Sequence, residues 1–63
     1  MLSEKLKALM EKNNLNVNRL SINTGIPYST ISDWVKGETV PKTDKLVKLA
    51  EYFNVSIEYF LSR

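Results

Sequence analysis

Four side chains in this 63-residue chain have types and spacing that could do chemistry: Tyr28, Ser29, Ser32 and Asp33. They fall on the outer side of one helical repeat. Hydroxyls there can donate or accept hydrogen bonds and the carboxylate can accept them, which is the chemistry of recognition. An ordinary solvated helix face would use the same residues. Catalysis has less support. The chain holds no cysteine and no histidine, which removes disulfides, the usual zinc ligands and the commonest general base. Its seven acidic residues are scattered without the pairing that acid–base chemistry needs. We therefore expect no enzyme, no cofactor and no metal, and no small-molecule ligand is evident.

Charge adds a second observation. Lys36, Lys42, Lys45 and Lys48 fall close together, while Glu51 and Glu58 follow in a stretch whose only base is Arg63. The net charge is +2 and the isoelectric point is near 9.0. That balance is compatible with a nucleic-acid partner without requiring one. Lys5, Lys7 and Lys12 suggest no role. No apolar run approaches the roughly 18 residues of a membrane span, and no signal-peptide pattern opens the chain. A soluble, cytoplasmic protein without a membrane partner is expected.

These residues need rigid elements to hold them. Leu6, Leu9 and Met10, with Leu2 just before, recur at helical spacing, which predicts a first helix over Ser3 to about Asn13 with Ser3 as its cap and Glu4 in its first turn. Asn13 and Asn14 end it. Asn16 is expected to cap a second helix that turns Val17, Leu20 and Ser21 inward and stops at Gly25. Ile26 is pushed toward an extended conformation by Pro27, which opens a third helix running to Lys36. Ile31, Trp34 and Val35 face inward there, and Gly37 closes it. The spacing from Ile31 makes Trp34 a core residue rather than a stacking platform. Glu38 to Lys42 is a loop fixed by Pro41. A fourth helix begins at Thr43 or Lys42, with the Thr43 side chain favoured as cap, Asp44 in the first turn and Leu46, Leu49, Ala50 and Phe53 as the buried stripe. Ser56 can cap a short fifth helix bearing Ile57, Phe60 and Leu61. No segment reads as a strand. The expectation is one compact all-α domain of five helices over residues 1–63, small enough to bury only about 60 % of its unfolded surface.

In this order and spacing the chain resembles the helix-turn-helix family of phage repressors and Cro proteins over nearly its full length. Asn16 to Gly37 looks like the family's capped second helix, glycine turn and recognition helix, with Ser29, Thr30 and Ile31 at the family's S-T-I. Pro41, the Leu46-to-Phe53 stripe and Asn54-Val55-Ser56-Ile57 followed by Phe60-Leu61 look like its last two helices. Four positions depart from the pattern. Val17 stands where the family often has a phosphate-gripping Gln, Ser21 where Ala is usual, and Pro27 where Ser or Thr caps the recognition helix. Met10 and Val35 replace a common Arg–Glu pair, so both charges are lost together.

The resemblance implies a sequence-specific regulator of transcription, expected to be a repressor, that binds double-stranded DNA as a homodimer on an inverted repeat. It implies that Tyr28, Ser29, Ser32 and Asp33 meet base edges in the major groove. Asn16, Asn18, Lys36, Thr39, Lys42 and Lys45 are the matching phosphate contacts; a solvated face remains the alternative for Lys45 and Lys48. Tyr52, Tyr59 and Phe60 either pair two copies or pack the fifth helix onto the domain. A different class of function also fits: a protein-interaction module derived from the same fold, favoured by Val17, Pro27, Asp33 and the low net charge. Residues 1–63 could be the whole protein or the N-terminal domain of a longer repressor.

Overall fold

The computed structural model describes residues 2–62. Five helices follow in chain order: α1 (Leu2–Lys12), α2 (Val17–Thr24), α3 (Tyr28–Lys36), α4 (Thr43–Phe53) and α5 (Ile57–Leu61). No strand occurs among the described residues. The all-α expectation holds, with each helix in its predicted place.

Three of the helices end in the same way. Asn14, Gly37 and Asn54 each adopt a left-handed conformation, with φ of 55°, 79° and 58°. In each case the next residue donates back five positions: Leu15 N to Met10 O, Glu38 N to Asp33 O and Val55 N to Ala50 O, at 2.8, 2.9 and 2.9 Å. This pairing satisfies carbonyls that a helix end otherwise leaves open. Asn and Gly stand at these positions because they tolerate positive φ.

Starts were less legible. Asn16 caps α2 as expected, its Oδ1 accepting from Arg19 N at 2.7 Å. Ser3, expected as the cap of α1, lies inside that helix, and a methyl group added at Gly37 would sit 3.7 Å from its Oγ. Thr43, favoured as the cap of α4, is instead its first helical residue. Lys42 takes the cap position, extended at φ −74° and ψ 170°, and its carbonyl accepts the first helical bond from Leu46 N at 2.8 Å. Ser56 holds the cap position of α5, but its side chain makes no cap bond; its carbonyl accepts from Tyr59 N at 3.1 Å.

The core joins Leu6, Leu9 and Met10 of α1, Leu20 of α2, Ile31 and Trp34 of α3, Leu46, Leu49 and Ala50 of α4, and Phe60 of α5. Val17, Val35, Phe53 and Ile57 pack against it. Leu61 departs from expectation at 65 % exposed. With only five residues, α5 turns Ile57, Tyr59 and Phe60 toward the core, and Leu61, one step further round from Phe60, faces solvent. Ile26 was not anticipated in the core. It is buried, because the extended turn before Pro27 directs its side chain between the packed helices.

Candidate nucleic-acid interface

The turn between α2 and α3 aims the candidate residues, and side-chain hydrogen bonds hold it. Gly25 sits at φ 77° and its N–H donates to Ser21 O at 2.8 Å. Ser21 Oγ donates to Ile26 O at 2.6 Å, crossing the turn. Thr24 Oγ1 donates to Leu20 O at 2.7 Å and accepts from Ile26 N at 3.3 Å. No buried side-chain N or O among the described residues lacks a partner. Ser21 therefore does more than fit: its hydroxyl binds the carbonyl next to Pro27.

Pro27 contributes no side-chain cap to α3, yet its carbonyl accepts from Thr30 N at 3.1 Å and Ile31 N at 3.2 Å. The helix behind it is anchored by Ile31 and Trp34, both buried. Burial of those two rotates Tyr28, Ser29, Ser32 and Asp33 to the other side. Tyr28 is 55 % exposed, Ser29 is exposed, and Ser32 and Asp33 are half-buried. All four lie on one outer face of α3, graded from open at its N-terminus to partly covered one turn later.

The cations flank this helix. Asn16 and Asn18 are exposed around the start of α2, and Lys36, Thr39 and Lys42 are exposed at the far end of α3 and in the loop beyond it. Asn16 spends its Oδ1 on the cap, which leaves its NH₂ to donate elsewhere. Lys45 is half-buried and lies 3.6 Å from Asp44, so an anion must compete with a carboxylate for it. Sequence reasoning passed over Arg19. It is exposed in the first turn of α2 and carries the only charge between residues 13 and 32. The absence of any acidic residue in that stretch was the available signal.

The aromatic residues near the C-terminus have work inside the domain. Phe60 is 3 % exposed, which matches packing of α5 onto the domain. Tyr59 rings edge-on against Phe60, with the Lys5 ammonium 5.2 Å from the Tyr59 ring centre. Lys5 also donates to Tyr59 O at 2.9 Å and to Ser62 Oγ, placing a cation at the C-terminal end of α5, where the helix dipole favours one. Tyr52 Oη accepts from Asn23 Nδ2 at 2.8 Å and so joins α4 to α2.

The sequence model of the helix-turn-helix family matches residues 6–60. The chain belongs to the helix-turn-helix family. A relative from Haemophilus influenzae, named as an uncharacterized HTH-type transcriptional regulator, is 41 % identical over 56 residues, covering 89 % of this chain and 23 % of the relative. This helix-turn-helix chain thus spans less than a quarter of that protein's length. No solved structure matches it. None of the described helices is long and apolar enough to cross a membrane, and the described residues form no His, Cys, Asp and Glu cluster able to hold a metal ion.

The cap of α2 offers a direct check on this helix-turn-helix. Asn16→Ala removes the acceptor for Arg19 N and should lower stability by about 1 kcal/mol. Urea unfolding followed by the fluorescence of the buried Trp34 measures it. An unchanged midpoint would show that the cap contributes nothing.

Proposed function

We propose that this chain is the DNA-reading domain of a transcriptional regulator, acting as a repressor on an inverted-repeat operator. The observation that carries the reading is the outer face of α3: an open Tyr28 and Ser29 beside Ser32 and Asp33, on a helix fixed from behind by Ile31 and Trp34 and entered through a hydrogen-bonded turn. A recognition helix meets base edges with its N-terminal residues, and the N-terminal residues are the exposed ones here. Serine can donate or accept at any base, Asp33 can accept from cytosine N4, and Tyr28 can pack on a thymine methyl or hold a phosphate. Asn16, Asn18, Arg19, Lys36, Thr39 and Lys42 are the phosphate contacts of this reading, with Lys45 weakened by Asp44.

Residues 1–63 act in this reading as one domain, with no catalytic step and no cofactor. The module works in the cytoplasm with double-stranded DNA as its partner. Two copies bind together, because one short helix reads too few bases to select a site in a genome. Half-sites related by an inverted repeat should have centres about 10 bp apart. Selection of bound duplexes from a random pool tests binding, motif and spacing at once. An inverted repeat is expected; a single unpaired motif counts against the dimer, and failure to enrich any motif counts against sequence reading.

A second reading, a protein-interaction module, is favoured by one observation: Ile22 on α2 is a large exposed apolar residue beside a modest net charge. A salt-dependent gel shift on random DNA separates the two. The interaction module should show no shift even at low salt.

A further inference from the structure

Ile26 is gripped at its side chain and at both of its backbone groups. The side chain is 2 % exposed, the carbonyl accepts from Ser21 Oγ at 2.6 Å, and the N–H donates to Thr24 Oγ1 at 3.3 Å. Both hydroxyls belong to the last turn of α2 and reach forward past Gly25. Thr24 Oγ1 gives its own hydrogen to Leu20 O at 2.7 Å, so one oxygen links the end of α2 to the peptide beyond the turn. We propose that Ser21 is a positioning residue for selectivity: its hydroxyl, with that of Thr24, fixes the first turn of α3 so that Tyr28 and Ser29 meet base edges in one orientation. The proposal rests on the DNA-binding reading above and concerns what makes that reading selective.

Three observations carry it. The first is that no side chain caps α3. Pro27 has neither a hydroxyl nor an N–H to give, so the entry to the helix is fixed from α2 instead. The second is where the reading residues fall. The gripped carbonyl is at Ile26 and the first buried side chain of α3 is Ile31. Tyr28 and Ser29 lie between these supports and are exposed, so burial anchors neither of them. Pro27, with φ of −57°, removes one soft torsion between the gripped carbonyl and Tyr28. The third is the direction that Ser21 takes. Serine is a weaker helix former than alanine, and inside a helix it can return its hydroxyl to the carbonyl four positions back, as Thr24 does to Leu20. Ser21 bonds five positions ahead, across the turn.

Selectivity follows from which contacts need a fixed geometry. A hydroxyl at a base edge weakens steeply once its angle departs from alignment, whereas a lysine held near a phosphate acts as a point charge and tolerates displacement. Lys36 and Lys42 also lie beyond Ile31 and Trp34 in the chain, outside the stretch that the Ser21 bond supports. A first turn ordered before binding spares the entropy of ordering it on DNA. Loss of the Ser21 hydroxyl should therefore reach Tyr28 and Ser29 and leave the cations untouched.

The test has two arms. In the first, wild type, Ser21→Ala and Ser21→Thr are bound to a duplex bearing one selected half-site and to a random duplex. Ser21→Ala should bind the selected half-site about 5-fold more weakly and random DNA as wild type does, with the salt slope unchanged. Ser21→Thr keeps the hydroxyl and should keep the selectivity. Added to Ser21→Ala, Ser29→Ala should cost little more, whereas Lys36→Ala should weaken binding to both duplexes as it does in wild type. Equal losses on both duplexes, a full Ser29→Ala effect in the Ser21→Ala background, or a Ser21→Thr protein as unselective as Ser21→Ala overturns the proposal. The second arm needs no DNA. The amides of Thr30 and Ile31, which donate to Pro27 O, should exchange their hydrogens about 5-fold faster in Ser21→Ala, the effect of one lost hydrogen bond. Those of Gly37 and Glu38, at the far end of α3, should exchange as in wild type. Faster exchange confined to the first turn supports the positioning even should every duplex fail to bind, which would count against the DNA reading alone. Unchanged exchange at Thr30 and Ile31, or equal quickening along all of α3, overturns it.

Discussion

Met10→Arg is expected to destabilise the domain by about 3 kcal/mol, the largest stability loss we predict. Met10 is 6 % exposed and belongs to the core cluster, and Val35 packs against that cluster from α3. We expect the two side chains to touch, an apolar contact where the family resemblance implies an Arg–Glu pair. A buried ion pair can be replaced by apolar residues without loss, but one charge restored alone is desolvated and unpaired. A chain of this length holds only about 3–9 kcal/mol of stability in total, so the single variant should unfold at much lower urea. Adding Val35→Glu should recover part of the loss by supplying a partner. Trp34 fluorescence reports all three proteins under the same conditions, since Trp34 is buried in α3. Equal midpoints for wild type, single and double variants would remove the contact from consideration.

The second large effect concerns affinity and its dependence on salt. Lys36→Ala and Lys42→Ala should each weaken binding to every duplex alike and flatten the plot of log affinity against log salt by about 0.9 per half-site. Both lysines are exposed beside α3 and offer point charges with no sequence information. Arg19→Ala should behave the same way. Ser29→Ala should not. Its hydroxyl, on the open end of the helix, is expected to contribute on the order of 1 kcal/mol on the selected site and little on random DNA, with the salt slope unchanged. Tyr28→Ala follows the serine pattern if the ring packs on a base, and the lysine pattern if the hydroxyl holds phosphate. Affinities on selected and random duplexes at several salt concentrations separate these patterns. Should none of these substitutions alter affinity, α3 is not a reading helix and the protein-interaction reading takes its place.

What could be read from the residues was local in origin. The helical spacing of Leu6, Leu9 and Met10, of Ile31 and Trp34, and of Leu46, Leu49 and Ala50 marks buried stripes, because a helix repeats every 3.6 residues whatever it packs against. Asn16, Gly25 and Gly37 mark ends, because capping and positive φ are properties of one or two residues. The outward set Tyr28, Ser29, Ser32 and Asp33 followed by subtraction from those stripes. By itself the sequence determined five helices, their order, and which side of the third faces out.

The errors arose where a side chain's role depends on distant parts of the chain. Whether Ser3 or Thr43 caps a helix turns on where the first helical carbonyl lies, and for α4 the chain leaving Pro41 moved that point to Lys42. Leu61 shares the type and near-spacing of core residues, but α5 turns Ile57, Tyr59 and Phe60 to the core and leaves Leu61 exposed. Lys5 gave no hint of its contacts with Tyr59 and Ser62, because its partners lie more than fifty positions away. Tyr52 and Asn23 are likewise joined only by the packing of α2 on α4. An apolar groove beside Val40 and Leu61 is a product of the same assembly: residues from both ends of the chain and from its middle loop meet there. Helical periodicity and capping act within a few residues and so are written in the sequence, whereas which surfaces close and which stay open is decided by packing between elements far apart in it.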